Sequence, residues 1–336
     1  MNFGFDRQVA HLAASSGLRC SSYPIVMACD EAYAMPLAVA IRSIAEANRS
    51  RERVDVVVLS NDFSQEMKRQ VEASAPSDVV IHWVFVDLCQ FDQCSGILTH
   101  TSKMVYARLL LPYLLPSNVV RALYLDADIL IVDDLDSLWG MDLEGYALGA
   151  VPDLDAADNA ERLSLSAEEC GNQSGFGSRL GHSYFNAGVL LVDLPKWRQE
   201  EISERAIGYL TDYPHAPYAD QDALNVACAG RWKRLDSRWN LQGPEHGQDP
   251  VRLNDIRPAI LHFCCKAKPW NASSLNSSEK FYDKYRSRTK FARTPKDKVR
   301  DIVLHGWASL RRNLRRYKLL YRVYRRLKNA PAISGV

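Results

Sequence analysis

The chain has 336 residues, 47% of them apolar and 24% charged, with a formal net charge of +2. That is enough to bury a sizeable core as one large domain, or one domain plus an appendage, and it leaves no need for a disulfide framework. The near-neutral total hides an asymmetry: residues 296–328 hold twelve Lys/Arg against two Asp/Glu, so the preceding 295 residues are acidic overall.

In chain order, residues 1–22 form an N-terminal extension without a continuous apolar stretch, so a signal peptide is not expected. YPIVMAC (23–29) reads as a buried strand feeding a loop at Asp30-Glu31, and residues 36–48 as a helix with Pro36 in its first turn. Val54–Ser60 reads as a second buried strand, Ser64–Ala73 as a helix capped by Ser64, and Val79–Asp87 as a third strand. A helix at about 101–115 precedes ALYLDADILIVDDL (122–135). ALGAVPD (147–153) and YFNAGVLLVDL (184–194) are strand-like, and the polar stretch 155–183 between them reads as a long surface loop. Residues 195–228 read as helical with a break at His215-Ala216-Pro217, and Ala259–Cys264 as a last short strand. Strands alternating with helices predict an α/β domain with a mainly parallel sheet, which binds ligands at the carboxyl ends of its strands. Asp30, Asp87 and Asp126 fall at such ends.

The eight cysteines, at 20, 29, 89, 94, 170, 228, 264 and 265, form no Cys-x-x-Cys pair and no zinc spacing. Reduced thiols in a cytosol are the simpler expectation. No stretch of about 18 apolar residues is present to span a membrane.

The central constellation is Asp126-Ala127-Asp128 after the apolar run Ala122–Leu125. Residues i and i+2 of an extended backbone point to one side, so two carboxylates can hold one hard divalent cation. Asp-x-Asp is common on surfaces, and its place after a buried strand singles this one out. His262, within Leu261–Trp270, can complete a carboxylate-bound Mn²⁺ site, although a lone histidine after an apolar strand is also commonly a hydrogen-bonded core residue. Lys268 can offer a point charge to a phosphate. Asp133 and Asp134 read as solvated turn residues.

Six segments in order, over about residues 23–271, resemble the family 8 glycosyltransferases, the group that includes bacterial lipopolysaccharide galactosyl- and glucosyltransferases and glycogenin. They are Ala28–Ala34, Tyr106–Leu109, Leu123–Asp128, Tyr184–Val189, Asp220–Asn225 and the segment ending at Lys266-Ala267-Lys268-Pro269-Trp270. The resemblance implies a Rossmann-like nucleotide-sugar domain of the GT-A type over 23–293, and retaining transfer of galactose or glucose from a UDP-sugar to a saccharide. It implies that Asp30 bonds the uracil edge and Tyr33 stacks on its face. Asp126, Asp128 and His262 would bind Mn²⁺, with Mg²⁺ as the alternative, and Asp128 would also lie near the ribose. Lys268 would contact the diphosphate, and Arg108 would face the donor sugar together with Ser102 or Lys103. Asp153 and Asn186 would hold sugar hydroxyls, and Asp220 and Gln221 would lie beside the anomeric carbon. Three positions depart from the family pattern: Glu31 stands where Asp is common, Ala32 where Asn is common and Cys265 where Gly is common.

Retention has two routes, double displacement through a side-chain nucleophile or front-face attack. The amide of Gln221 is a poor nucleophile, which favours the second. The rival functions are a metal-dependent nucleotide-sugar hydrolase, an inactive binding module and a self-glucosylating primer. The tail from 294 to 336 places Val303, Trp307, Leu310, Leu314, Tyr317, Tyr321 and Tyr324 on one helical stripe flanked by arginines and lysines. That pattern predicts a peripheral location on the anionic inner face of a cell membrane, beside a lipid-linked acceptor such as lipopolysaccharide. Packing on the acidic body is the other reading of the tail, and no nucleic-acid partner is expected.

Overall fold

The computed structural model describes residues 24–49, 53–94, 102–155, 157, 161, 163, 184–228, 230–243, 257–264, 267–272, 276 and 278–328. The N-terminal extension, nearly all of the 155–183 segment, Cys265 and residues 329–336 lie outside them.

The strands are β1 (Ile25–Ala28), β2 (Val54–Ser60), β3 (Val79–Phe85), β4 (Arg121–Leu125), β5 (Ile129–Ile131), β6 (Leu148–Pro152), β7 (Phe185–Asp193), β8 (Lys233–Arg234), β9 (Leu241–Gln242) and β10 (Ile260–His262). Seven form one sheet in the order β3-β2-β1-β4-β7-β6-β8, and β5-β10-β9 form a second, small one. β1 to β4 run parallel, while β7 is antiparallel to both β4 and β6. The chain is therefore α/β with a parallel-rich central sheet, as its alternating pattern predicts.

Both faces of the large sheet are covered, which explains its unbroken apolar runs. Ile25, Met27, Val56, Val58, Leu123 and Leu125 face one core, shared with the Ala34–Ala47 helix. Their neighbours Val26, Val57, Leu59, Ala122 and Tyr124 face the other, shared with residues 104–115 and the helices between 194 and 228. Alternation along each strand thus feeds two cores rather than one core and solvent.

Local signals act where expected. Ser64 caps the Gln65–Glu72 helix, its hydroxyl accepting from the Met67 amide at 3.2 Å. Residues 103–110 wind as a 3-10 helix before a short α turn at Leu111–Leu114, in place of one α-helix. The 195–228 region breaks twice: the Leu194–Gln199 and Ile202–Asp212 helices are split at Glu201, whose φ is 50°, and the Ala219–Cys228 helix follows the predicted break.

The tail is one helix, Pro295–Lys328. Thr294 and Asp297 form a reciprocal capping box at its start. Its base is tied down by Arg293, buried against Glu279 at 3.1 Å and Asp301 at 2.8 Å. Beyond that base Ile302, Trp307 and Leu310 are exposed. No helix among the described residues is long and apolar enough to cross a membrane.

Candidate active site

The order of the large sheet diverges at β1, whose neighbours are β2 on one side and β4 on the other. Ligand crevices form at such switch points, beyond the carboxyl ends of the strands. Asp30 follows β1 and Asp126 follows β4, and both line a cleft of roughly 410 Å³. Tyr33, Arg108, Asp128, Asp153, Asn186, Asp220, Gln221, His262 and Lys268 line the same cleft. Ser102 does so as well, whereas Lys103 ion-pairs with Asp92 at 2.8 Å.

At the floor, Asp126, Asp128 and His262 each offer one ligand atom, all within 4.8 Å of one another. Hydrogen bonds select which atoms these are. Oδ1 of Asp126 accepts from Arg108 at 2.8 Å and from the Tyr124 hydroxyl at 3.0 Å, leaving Oδ2 toward His262 Nε2 at 3.7 Å. Oδ2 of Asp128 accepts from Lys268 at 2.7 Å, and Oδ1 lies 3.3 Å from the same Nε2. His262 is buried, and its Nδ1 is 2.9 Å from Asn240 Oδ1, an acceptor, so Nδ1 carries the proton and Nε2 presents its lone pair. Two carboxylate oxygens and one neutral imidazole nitrogen suit a divalent cation that accepts mixed oxygen and nitrogen ligands. Burial alone would raise the Asp128 carboxyl, but the Lys268 ammonium holds it below the usual range, ionised and ready to ligate.

Arg108 is the second organising residue. It is buried over the Tyr124 ring, donates to the Ala187 carbonyl at 2.6 Å, and bridges Asp126 to Asp220, the latter at 2.9 Å. Burial pushes the Asp220 carboxyl up to about 7, with Arg108 opposing and Asp126 adding to the rise. Asp220 and Gln221 open the Ala219–Cys228 helix, where Ala219 holds a φ of 45°. A non-glycine residue in that region stores strain, and here it aims the first helical turn into the cleft. Asn225 docks the same helix on β7, its amide accepting from the Phe185 N–H and donating to the Phe185 carbonyl, both at 2.9 Å.

The amide of Gln221 accepts from Ala187 N at 3.0 Å and donates to Asp153 Oδ2 at 3.2 Å. Asn186 donates to that same carboxylate oxygen at 3.1 Å, while its Oδ1 accepts from Gly188 N and from Asn240. Gln221, Asp153 and Asn186 thus form one hydrogen-bonded wall of the cleft.

At the other end, Oδ1 of Asp30 is buried with no hydrogen-bond partner among the described residues. A buried acceptor in that state can take a donor from a bound molecule. Tyr33 stands beside it on a 3-10 turn, braced edge-on by Trp270 at 6.0 Å, which in turn packs on Tyr282 at 5.2 Å. An acceptor for an N–H and a fixed aromatic face lie side by side at one end of the cleft, and the cation ligands lie at its floor.

Residues 24–274 match the model of glycosyl transferase family 8. The chain belongs to this family. General stress protein A of Bacillus subtilis is 28% identical over 283 residues, covering 80% of this chain and 94% of that protein. The lipopolysaccharide 1,2-glucosyltransferase of Escherichia coli K12 is 26% identical over 75% of this chain and 74% of its own length. A crystal structure of the galactosyltransferase LgtC, in complex with donor and acceptor sugar analogs, superimposes with a TM-score of 0.65 at 28% identity, covering 83% of this chain and 99% of that one. The fold is thus GT-A, and the reaction class is retaining glycosyl transfer.

Several features of this family 8 site lie outside what sequence reasoning found. Asn240 and Gln242 flank and form β9, a strand too short to show periodicity. Gln242 Nε2 donates to the Pro152 carbonyl at 2.9 Å and its Oε1 accepts from Leu154 N, which holds the end of β6 over the cleft. Glu31 accepts from the Ser64 amide and so fixes a loop, while Ala32 is exposed. Asp133 is not a solvated turn residue. It is largely buried and pairs with Arg49, with Arg238 at 3.0 Å and with Arg257 at 3.4 Å. Three arginines distant in sequence converge on it, which a local turn signal cannot show. Asp134 does act locally, accepting from the Asp136 amide at 2.7 Å.

Proposed function

We propose that the chain transfers galactose or glucose from a UDP-sugar to a saccharide, with Mn²⁺ held by Asp126 Oδ2, Asp128 Oδ1 and His262 Nε2 and with Mg²⁺ as the alternative ion. The convergence of these three ligand atoms at the switch point carries the reading. Bound there, the cation supplies Lewis-acid stabilisation to a leaving diphosphate. Asp30 Oδ1 accepts from the uracil N–H, and Tyr33 stacks on the base. Lys268, held at Asp128, adds positive charge on the diphosphate side. The wall of Asp153, Asn186 and Gln221 faces the hexose, and Arg108 keeps Asp126 and Asp220 in place. Asp220 is a weak candidate nucleophile, because one of its oxygens is held by Arg108 and its carboxyl titrates only at about 7. Front-face attack is the favoured route, with Gln221 on the cleft wall helping to stabilise the positive charge that develops on the anomeric carbon.

The test is turnover against a panel of UDP-sugars with saccharide acceptors. UDP-galactose or UDP-glucose is expected to give an α-linked product by the NMR signal of its anomeric proton, EDTA to stop the reaction, and Mn²⁺ to restore it. Full activity in EDTA, or a β-linked product, overturns the reading.

The acceptor is proposed to be lipid-linked, of the lipopolysaccharide kind, reached by a body of residues 23–293 docked through the tail on an anionic cytoplasmic membrane face. The exposed side chains of Val299, Ile302, Val303, Trp307 and Leu310 on a helix with ten positive charges in excess support this. Each basic residue near such a surface contributes roughly 1 kcal/mol. In flotation, the full chain is expected to rise with anionic vesicles at low salt, and a chain ending at Arg293 to remain behind. Equal partitioning of the two would remove the tail from the proposal.

A further inference from the structure

We infer that Asn240 is a positioning residue that dictates which nitrogen of His262 faces the cation site. The inference rests on the cation reading of Asp126, Asp128 and His262. Asn240 is 1% exposed and does not line the cleft. It precedes β9, whose parallel pairing with β10 sets Gln242 opposite His262. Its side chain bonds at both ends: Nδ2 donates to Asn186 Oδ1 at 2.9 Å, and Oδ1 is 2.9 Å from His262 Nδ1.

The polarity of this chain of bonds is fixed from its far end. The backbone N–H of Gly188 can only donate, and it donates to Asn186 Oδ1 at 3.0 Å. Asp153 Oδ2 takes the Asn186 Nδ2 donor at 3.1 Å and the Gln221 Nε2 donor at 3.2 Å, so it stands there as the acceptor. Asn186 therefore cannot flip, so Oδ1 of Asn186 must face Asn240, and Asn240 must turn its own NH₂ toward it. That leaves only Oδ1 of Asn240 for His262, which in turn must carry its proton on Nδ1. The alternative tautomer would put a proton on Nε2, where the Asp128 carboxylate at 3.3 Å would accept it and block the ligating lone pair. What the tautomer requires at 240 is an acceptor toward Nδ1, and the Nδ2 donor toward Asn186 fixes which end of the asparagine supplies it. The same chain ties the wall that faces the sugar, at Asp153, to the orientation of a cation ligand.

Outer partners of metal-ligating histidines are commonly worth about 10–100-fold in metal affinity. Asn240→Leu, which removes the acceptor at similar size, is expected to weaken Mn²⁺ binding to the sugar-free protein by that factor, read by electron paramagnetic resonance of free Mn²⁺. Asn240→Asp keeps an acceptor toward Nδ1 and is expected to bind Mn²⁺ close to the wild type, even where its buried charge lowers the melting temperature more than leucine does. A packing role predicts the reverse order. Nitrogen-15 spectra of labelled histidine in cation-free wild type at about pH 8.5, above the ordinary histidine range, should show His262 protonated on Nδ1. Protonation on Nε2 there overturns the inference whether or not the leucine variant folds. Equal Mn²⁺ affinity of the leucine variant and wild type overturns it too, as does an aspartate variant as weak as leucine. Absence of Mn²⁺ binding by the wild type overturns the cation reading itself, and this inference with it.

Discussion

Asp128→Asn is expected to lower turnover by about 10³-fold or more and to reduce Mn²⁺ affinity in parallel, with the fold retained. Electrostatic groups aimed at developing charge are commonly worth about 10²–10³ each in rate, and loss of a cation ligand removes both the ligand and part of the ion's occupancy. The amide is close to the carboxylate in shape, so packing changes little. What changes is charge: Asp128 accepts from the Lys268 ammonium on one oxygen, and its other oxygen, 3.3 Å from His262 Nε2, faces the cation site, where an amide brings no negative charge. The comparison that isolates the effect is Asp133→Asn, a carboxylate in the same acidic stretch that anchors Arg49, Arg238 and Arg257. That variant is expected to lower the melting temperature while leaving Mn²⁺ binding unchanged. Normal turnover in Asp128→Asn, measured with Mn²⁺ in excess, would remove the carboxylate from the mechanism.

The contrast between those two aspartates also marks how far the sequence can be read. Asp126 and Asp128 are legible because a short buried strand fixes their spacing and direction, and strand ends are visible as the end of an apolar run. The β2 strand, the Ser64 cap and the break before the Ala219–Cys228 helix are legible for the same local reason. Asp133 is not, since its partners come from residues 49, 238 and 257 and no local pattern joins them. The reversal of β7 against β4 is likewise hidden: an apolar run buried on both faces looks the same in either direction. Asn240 lies furthest from view. It touches no ligand position directly, sits beside a two-residue strand, and gains its meaning only when β9 pairs with β10 and brings it to His262. In the tail, the apolar stripe and flanking basic residues are plain in the sequence, as is the start of the helix at Thr294-Pro295. The lock of Arg293 on Glu279 and Asp301 is not, because it joins two helices through a loop residue.

Gly188→Ala is expected to reduce Mn²⁺ binding and turnover by about 10–100-fold or more, since losing a group that orders a cation ligand already costs about 10–100-fold. Gly188 lies on β7 and is not among the glycines with positive φ, so an alanine could adopt its backbone conformation. The constraint is space. A methyl there would stand 2.2 Å from Cε1 of His262 and 2.7 Å from Oδ2 of Asp126. Neither neighbour can give way cheaply. His262 is buried and held through Nδ1 by Asn240, and the Asp126 carboxylate is pinned at Oδ1 by Arg108 and Tyr124. The methyl therefore has to displace the two atoms that the cation needs, and overpacking of this kind also destabilises a fold by roughly 1–3 kcal/mol. Gly208→Ala is the control. Gly208 lies within the Ile202–Asp212 helix, a methyl there meets nothing within 4 Å, and alanine is favoured over glycine in a helix by roughly 1 kcal/mol. Its melting temperature should rise slightly with full Mn²⁺ affinity. Calorimetry of both variants with and without Mn²⁺ separates the effects: Gly188→Ala should lose the stabilisation that the ion gives the wild type, and Gly208→Ala should keep it. If Gly188→Ala retained that stabilisation in full, Asp126 and His262 would have room to move that the packing around Gly188 denies them, and the cation site would have to be placed elsewhere in the cleft.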